Sequence, residues 1–241
     1  MSETSPEGPL AGRIAFVTGS SRGIGAATAK ALAAAGAHVL ISGRTAADLE
    51  AVEDAIHEAG GTATIAPFDL TEGDAIARLA AAVAERWGRL DILVLNAAML
   101  PALSPVTQID PKEFNRALTL NVLATQTLLA AFDPLLKRSD AGRVVGVTSS
   151  VGAAPRAYWG AYGASKAAFE VLLDCYGQEV EKISATRVAI LDPGATRTRM
   201  RARAFPGEDP QSLKPPEAVG ERIVALLGSD FATGHRERVA G

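Results

Sequence analysis

Short runs of Val, Ile and Leu alternate with longer alanine-rich segments along most of this chain. The short runs have the composition of buried strands, and the longer segments have the spacing of helices. Apolar strands separated by helices are typical of a parallel sheet that is covered on both faces. The pattern predicts a single α/β domain with a doubly wound parallel sheet, whose ligands bind at the carboxyl ends of the strands. The predicted strands are 14–18, 38–42, 64–68, 91–95, 144–148 and 187–191, and the predicted helices are 23–35, 45–59, 72–87, 112–136 and 161–182.

The composition and the two ends of the chain limit the class of protein. A length of 241 residues suits one domain, which we expect to span 12–241 after a flexible segment, 1–11. The polar tail after Leu227 contains no convincing final strand. A net charge of -3 gives no electrostatic reason to expect a nucleic-acid partner. Because the sequence has no signal-peptide pattern, no apolar stretch of ~18 residues and no grouped histidines or cysteines, we expect a cytoplasmic protein with no metal and no membrane partner.

A glycine-rich turn follows the first predicted strand and leads directly into a helix. It reads Thr-Gly-Ser-Ser-Arg-Gly-Ile-Gly over 18–25. Glycines permit a tight turn and let backbone amides approach a pyrophosphate, and the helix dipole attracts the same anion. Any tight connection can use glycine, but the position in the first βαβ unit favours a dinucleotide site. The candidate cofactor-binding residues of this turn are Gly19, Ser21, Arg22, Gly23, Ile24 and Gly25.

The end of the second predicted strand distinguishes between the two nicotinamide cofactors. An NAD site usually has an acidic residue there, which holds the ribose 2′-hydroxyl. Here the chain reads Ser-Gly-Arg over 42–44 and has no acid before Asp48. Arg44 and Arg22 can bind a 2′-phosphate through charge-assisted hydrogen bonds, although either alone can be an ordinary exposed arginine. Together with the missing acid, they favour NADP.

Polar residues end most of the other predicted strands. Each is unremarkable alone, because polar residues commonly terminate strands. Their occurrence at successive strand ends indicates one binding site, in which the Asp69 carboxylate can accept a hydrogen bond from an adenine amino group. The candidate residues at these strand ends, including the apolar neighbours of the polar ones, are Asp69 and Leu70 after the third strand, Asn96 after the fourth, Ser149 and Ser150 after the fifth, and Asp192, Pro193 and Gly194 after the sixth.

Tyr162 and Lys166 lie four positions apart in a helical segment, so their side chains share one helix face. A phenol is a poor acid or base at neutral pH, but an ammonium group held close to it lowers its pKa. Such a pair can pass a proton to or from a substrate oxygen, whereas two unrelated surface residues are the alternative. Asn121 lies in an apolar helical segment, where its amide needs partners; it can cross-link helices, act within the site, or do both.

Together these motifs resemble the short-chain dehydrogenase/reductase family. The TGxxxGxG turn, an Asn-Ala-Ala, an isolated helical Asn, a serine and a YxxxK pattern occur in the family's order over residues 12–234. The usual Asn-Asn-Ala-Gly is Leu-Asn-Ala-Ala over 95–98 here, and the segment 231–237 is more charged than the family's last strand. The resemblance implies a Rossmann-like fold and a catalytic tetrad of Asn121, Ser149, Tyr162 and Lys166.

The family mechanism implies a role for each of these residues. Tyr162 exchanges a proton with the substrate oxygen, and Lys166 lowers its pKa and holds the nicotinamide ribose. Ser149, which lies the family's usual thirteen residues before Tyr162, hydrogen-bonds the substrate oxygen. Asn121 positions a water that links Lys166 to solvent, and Thr196 contacts the nicotinamide carboxamide.

We therefore expect an NADP-dependent oxidoreductase that interconverts a carbonyl and a secondary alcohol on a small-molecule substrate. A reductase of 3-oxoacyl thioesters on a carrier protein and a non-catalytic NADP-binding regulator are the alternatives. The complete tetrad argues against the regulator, which needs no tuned phenol. The helices at 112–136 and 161–182 carry more apolar surface than one sheet face needs, and relatives pair through them, which predicts a homo-dimer or homo-tetramer.

The polar segment 195–214 is the expected substrate lid, because long insertions after a strand end often cover active sites. Four arginines alternate along it. They are either surface charges or, if the segment is helical, form two pairs on different faces, 197/201 and 199/203, of which one attracts an anionic substrate. Tyr158 has no lysine four residues on and is a candidate wall of the substrate pocket.

Overall fold

Residues 8–240 are described by the computed structural model, and their strands form a single parallel sheet. The strands are β1 (Ile14–Val17), β2 (His38–Gly43), β3 (Thr62–Pro67), β4 (Ile92–Leu95), β5 (Arg143–Val147), β6 (Arg187–Asp192) and β7 (His235–Arg238). Their order in the sheet is β3-β2-β1-β4-β5-β6-β7. The winding therefore reverses beside β1, which is where doubly wound folds bind their ligands.

Helices cover both faces of this sheet. They are α1 (Gly23–Ala34), α2 (Ala46–Glu58), α3 (Gly73–Trp87), α4 (Pro111–Leu118), α5 (Ala124–Leu136), α6 (Ser150–Ala153), α7 (Gly160–Val180), α8 (Arg199–Ala204) and α9 (Pro216–Leu227). Val17 packs in the core with α1, α2 and α9, and Phe16 packs on the opposite face with α3, α5 and α7. Since successive strand residues point to opposite faces, β1 is apolar throughout. The predicted doubly wound α/β fold is confirmed. No helix among residues 8–240 is both long and apolar enough to span a bilayer.

The predicted continuous helix at 112–136 is wrong, because it is interrupted. α4 ends at Leu118, a π-helical turn spans Thr119–Leu123, and α5 begins at Ala124. Such turns are rare and occur frequently at functional sites. The apolar periodicity continues through the turn, so the sequence pattern gave no sign of the break.

The expectation that the tail lacks a strand is also wrong, because β7 pairs in parallel with β6. The strand reads His-Arg-Glu-Arg and has no apolar alternation that would predict it. Ion pairs hold it instead, since Arg236 bonds to Glu170 on α7 and Glu237 bonds to Arg222 on α9. A charged edge strand also resists pairing with other chains.

The segment expected to be flexible, 1–11, is described only in part, because residues 1–7 lie outside the described residues. Leu10 is buried in the core next to α1, and its amide donates to the carbonyl oxygen of Ala35 at 2.9 Å. The folded domain therefore begins before residue 12.

Candidate active site

The glycine turn between β1 and α1 is closely packed against the end of β4. A Cβ atom on Gly25 would lie 2.3 Å from the carbonyl oxygen of Gly19 and 2.6 Å from Nδ2 of Asn96. Gly19 and Gly23 have φ angles of 64° and 55°, which favour glycine. The Asn96 amide donates to the carbonyl oxygens of Thr18 and Gly19 at 2.9 and 3.2 Å. Asn96 therefore fixes the shape of the turn.

Two buried hydroxyls outside the predicted site, those of Thr18 and Ser20, support the same turn. Thr18 Oγ1 accepts hydrogen bonds from the backbone amides of Asn96 and Ala97 at 3.0 and 3.1 Å. Ser20 Oγ accepts one from the amide of Ser42 at 2.8 Å. They connect the turn to β4 and β2. In the sequence, the feature that could have indicated them is a hydroxyl residue directly after an apolar strand.

Positive charge lies at the ends of β1 and β2. Arg22 caps the start of α1, Arg44 directly follows β2, and both are exposed. Asp69 accepts from the amide and hydroxyl of Thr71 at 2.9 and 2.8 Å. These bonds, together with the charge of Arg44, hold the pKa of Asp69 below its usual value. Leu70 is buried beside this carboxylate.

This donor set fits a dinucleotide with an additional phosphate. The N-terminus of the twelve-residue helix α1 presents free backbone amides, which suit a pyrophosphate. The two exposed guanidinium groups, on Arg22 and Arg44, suit a further phosphate group. No acidic side chain stands between β2 and Asp48 to hold a ribose hydroxyl instead.

Tyr162 and Lys166 lie one turn apart on α7 and are 6% and 2% exposed. Lys166 Nζ donates to the carbonyl oxygen of Val147, the last residue of β5, at 2.8 Å. It also lies 4.4 Å from the centre of the Phe169 ring. Burial lowers the pKa of Lys166 to about 8, and the Glu170 carboxylate opposes that effect. The ammonium group is therefore anchored at the end of β5.

The electrostatic environment of the Tyr162 phenol differs from the expected one, in which a nearby ammonium group dominates. Burial, with the negative charge of Asp192 added, raises the pKa of Tyr162. The Lys166 ammonium group hydrogen-bonds the Val147 carbonyl, and the lowering of this pKa by Lys166 stays a prediction. The phenol oxygen itself lies 3.9 Å from Sδ of Met200.

Asn121 joins the π-helical turn to two other elements. Its Oδ1 accepts from the amide of Met99 at 2.9 Å, and its Nδ2 donates to the carbonyl oxygen of Met99 at 3.0 Å. Nδ2 also donates to Oγ of Ser165 at 2.9 Å, and that hydroxyl donates to the carbonyl oxygen of Tyr162 at 2.8 Å. Asn121 therefore cross-links the π-helical turn to Met99 and to α7, which is one of the roles that the sequence suggested.

Ser149 is half-buried at the end of β5, directly before α6. The hydroxyl of its neighbour Thr148 donates to Glu170 Oε1 at 2.6 Å, and Glu170 Oε2 accepts from Arg236 at 2.5 Å. Glu170 and Arg236 were not predicted as part of the site. Arg236 is 66 positions from Glu170 along the chain, so no local pattern could connect them.

The chain after β6 forms a tight turn. Gly194 has a φ of 62°, and its amide donates to Oδ1 of Asp192 at 2.9 Å. Thr196 is buried, and its hydroxyl donates to the carbonyl oxygen of Pro193 at 3.0 Å. Thr196 also pairs with Lys214 in an isolated parallel bridge, so the two ends of the expected lid meet.

The expected lid packs over Tyr162. Met200 reaches the phenol from α8, and the ring of Phe205 lies 5.7 Å from that of Trp159, which lies 6.0 Å from that of Tyr162. Tyr158, the expected pocket wall, is 60% exposed, whereas its neighbour Trp159 packs against Tyr162. Tyr158 also has a φ of 73°, an unusual backbone angle for a residue with a side chain.

The arrangement of the lid arginines differs from the anion-attracting one considered above. Because α8 begins at Arg199, Arg197 lies outside the helix and does not share a helical face with Arg201. Arg201 donates to both carboxylate oxygens of Glu208, at 2.6 and 2.5 Å. Arg197, Arg199 and Arg203 are exposed.

The structure brings all the predicted site residues to one edge of the sheet. They follow the carboxyl ends of β1 to β6 or lie on the helical segments around that edge. Candidate cofactor contacts gather around β1, β2 and β3, and the candidate catalytic residues around β4, β5 and α7.

Comparisons with known proteins agree on one family. The sequence profile of the short chain dehydrogenases matches residues 13–209. An uncharacterized oxidoreductase of Escherichia coli K12 is 39% identical over 221 residues, which cover 90% of this chain and 87% of that protein. A solved structure from Pseudomonas syringae, assigned to the short chain dehydrogenases, has a TM-score of 0.94 and 39% identity and covers 100% of this chain and 99% of that one. Another, from Escherichia coli CFT073 and complexed with NADPH, has a TM-score of 0.90 and 37% identity and covers 100% of both chains.

Proposed function

Because this chain belongs to the short-chain dehydrogenase family of oxidoreductases, we propose that it interconverts a carbonyl group and a secondary alcohol with NADP(H). The observation that carries the proposal is the buried Tyr162, with Lys166 one turn along α7 and Ser149 at the neighbouring end of β5. A bound nicotinamide supplies or accepts the hydride, and the protein positions it. Side chains of this protein bind the substrate oxygen and exchange its proton.

Tyr162 acts on the proton of the substrate oxygen. Because its pKa is raised by burial, the phenol is protonated at neutral pH and suited to donate to a carbonyl oxygen during reduction. The Ser149 hydroxyl donates a second hydrogen bond to the same oxygen as negative charge develops there. Lys166, with a pKa of about 8, remains mostly charged at neutral pH and stabilises that charge.

Asn121 acts by positioning other groups. Its amide fixes Met99 in the segment after β4 and Ser165 on α7, the helix that carries Tyr162. A fully satisfied buried amide rigidifies its surroundings. The bond to Ser165 therefore links the π-helical turn to the helix that carries the phenol.

The preference for NADP(H) over NAD(H) rests on charge. Arg22 and Arg44 are exposed at the ends of β1 and β2, and no acid follows β2 before Asp48. Guanidinium groups bind phosphate in a bidentate manner. The Escherichia coli relative complexed with NADPH supports the same assignment.

We also propose that the protein forms a homo-dimer or homo-tetramer through the π-helical turn, α5 and α7. Leu123 and Val171, on these neighbouring helical segments, are 59% and 60% exposed. Exposed apolar residues on adjacent helices are typical of a protein interface.

A coupled assay tests the proposed reaction. The protein is incubated with NADPH and a panel of ketones and aldehydes, and the loss of NADPH absorbance is followed. We expect turnover with at least one carbonyl compound, and slower turnover when NADH replaces NADPH. Tight NADPH binding with no turnover across a broad panel of carbonyls and alcohols would contradict the proposal.

A further inference from the structure

An apolar cluster surrounds the phenol that is proposed to meet the substrate oxygen. Leu100 and Val151 are buried with Tyr162, at 5%, 8% and 6% exposure. Partly buried apolar residues complete the cluster. These residues are Leu103, Trp159, Met200 and Ala204.

Aromatic rings form one wall of this cluster. Trp159 lies edge-on to Tyr162, with ring centres 6.0 Å apart. Trp159 also lies 5.7 Å from Phe205, at an interplanar angle of 31°. Aromatic side chains in such arrangements favour a further flat ring in offset or edge contact.

Met200 occupies the space in front of the phenol. Its sulfur lies 3.9 Å from the Tyr162 oxygen, where it is a weak acceptor for the hydroxyl. A substrate oxygen must come within hydrogen-bond distance of the same hydroxyl, so the thioether and the substrate compete for one place. Methionine is unbranched and flexible, so it can leave this place with little strain.

Two cations, Arg201 and Arg156, lie at the Phe205 ring, whereas a carboxylate, that of Asp192, acts on the phenol itself. Arg201 is bonded to both oxygens of Glu208 and stacks 3.7 Å from the centre of the Phe205 ring. Arg156 lies over the same ring, at 5.4 Å. Asp192 acts on the phenol with a negative charge. A carboxylate brought into the cluster would therefore be desolvated close to another carboxylate.

We infer that the substrate is an uncharged aryl ketone or its alcohol, whose ring packs against Trp159 and whose oxygen displaces the Met200 sulfur from Tyr162. The inference rests on the proposed function and names its substrate class. Binding of the aryl ring depends only on the apolar cluster and does not require the proposed reaction.

Two matched ketones test the substrate class. Para-methylacetophenone and para-acetylbenzoate share the ring and the reacting carbonyl, and differ in a methyl group against a carboxylate. We expect kcat/KM to be about tenfold higher or more for the methyl compound, because a carboxylate is costly to desolvate. Equal values, or a preference for the carboxylate, would overturn the inference while leaving the proposed reaction intact.

A binding measurement separates this inference from the reaction. In the Tyr162→Phe variant with NADPH bound, para-methylacetophenone should quench the fluorescence of Trp159, and the Trp159→Phe control should lose the quenching. If no carbonyl is reduced by the native protein but the quenching occurs, the proposed function fails and the aryl site stands. Reduction of short aliphatic ketones without quenching by the aryl ketone would overturn the aryl site.

Variants at Met200 test the competition for the phenol. Met200→Ala removes the side chain, whereas Met200→Leu retains its volume and is the matched control. We expect Met200→Ala to lower KM for the branched isobutyrophenone several-fold more than for acetophenone, and Met200→Leu to change neither greatly. If the alanine and leucine variants behave alike, Met200 does not occupy the substrate's place.

Discussion

Replacing Arg236 with Met tests how the charged strand β7 is held. The change keeps an apolar stem but removes the guanidinium group that bonds to Glu170 at 2.5 Å. The Glu170 side chain is 9% exposed, and its carboxylate would keep one direct side-chain partner, the Thr148 hydroxyl. A hydrogen bond to a charged group contributes about 1.5–3 kcal/mol. Because the Arg236 side chain is 44% exposed, water can replace part of it, and we expect a loss of about 2 kcal/mol in the free energy of unfolding.

Thermal unfolding followed by circular dichroism measures this loss. For a domain of this length, 2 kcal/mol corresponds to a decrease in Tm of about 4–8 °C. Arg238→Met is the matched control, since Arg238 also lies on β7 but pairs with Asp192 at 3.5 Å and has a 64% exposed side chain. Although the Asp192 side chain is only 16% exposed, a pair at this distance with a largely exposed arginine contributes at most about 1 kcal/mol. Equal losses in the two variants would refute the reasoning that the buried Glu170 carboxylate dominates.

The other predictions concern the cofactor and the assembly. Arg44→Asp should reverse the preference for NADPH over NADH by about 1.5–3 kcal/mol, because it removes a phosphate contact and repels the phosphate; comparable dissociation constants for both cofactors in the native protein would count against this. Gly25→Ala should abolish tight NADPH binding, since its Cβ atom would lie 2.3 Å from the Gly19 carbonyl oxygen and force the turn apart; an unchanged dissociation constant in fluorescence titration would show that the turn tolerates the methyl group. Light scattering should report a dimer or tetramer, and a species of 24.9 kDa at micromolar concentration would contradict the proposed assembly.

The fold was predictable from the sequence where burial determines the pattern. Strands such as Ile14–Val17 are buried on both faces, so they read as continuous apolar runs. The strand β7 escaped prediction because Arg236 and Glu237 are held by ion pairs to distant helices, which leave no apolar alternation. The π-helical turn escaped because the apolar periodicity continues through it, and the bonds from Asn121 to Met99 and Ser165 are tertiary contacts that no local pattern shows.

The positions of the candidate site residues were predictable from the sequence, but the hydrogen bonds, the pKa shifts and the packing around them were not. The spacing of Tyr162 and Lys166 placed both on one buried face of α7. It could not show that Lys166 bonds to the Val147 carbonyl, nor that burial raises the pKa of Tyr162. Met200 in front of the phenol was equally hidden, because a methionine in a polar segment carries no chemical signal.

The most direct test of the proposed function compares native protein with the Tyr162→Phe variant, using a carbonyl substrate that the native protein reduces. The change removes one hydroxyl and little volume, so the fold and the NADPH dissociation constant should remain nearly unchanged. We expect kcat to fall about 10²–10⁴-fold, as is typical when a general acid is lost. Near-native turnover in a correctly folded Tyr162→Phe variant would contradict the account of the site.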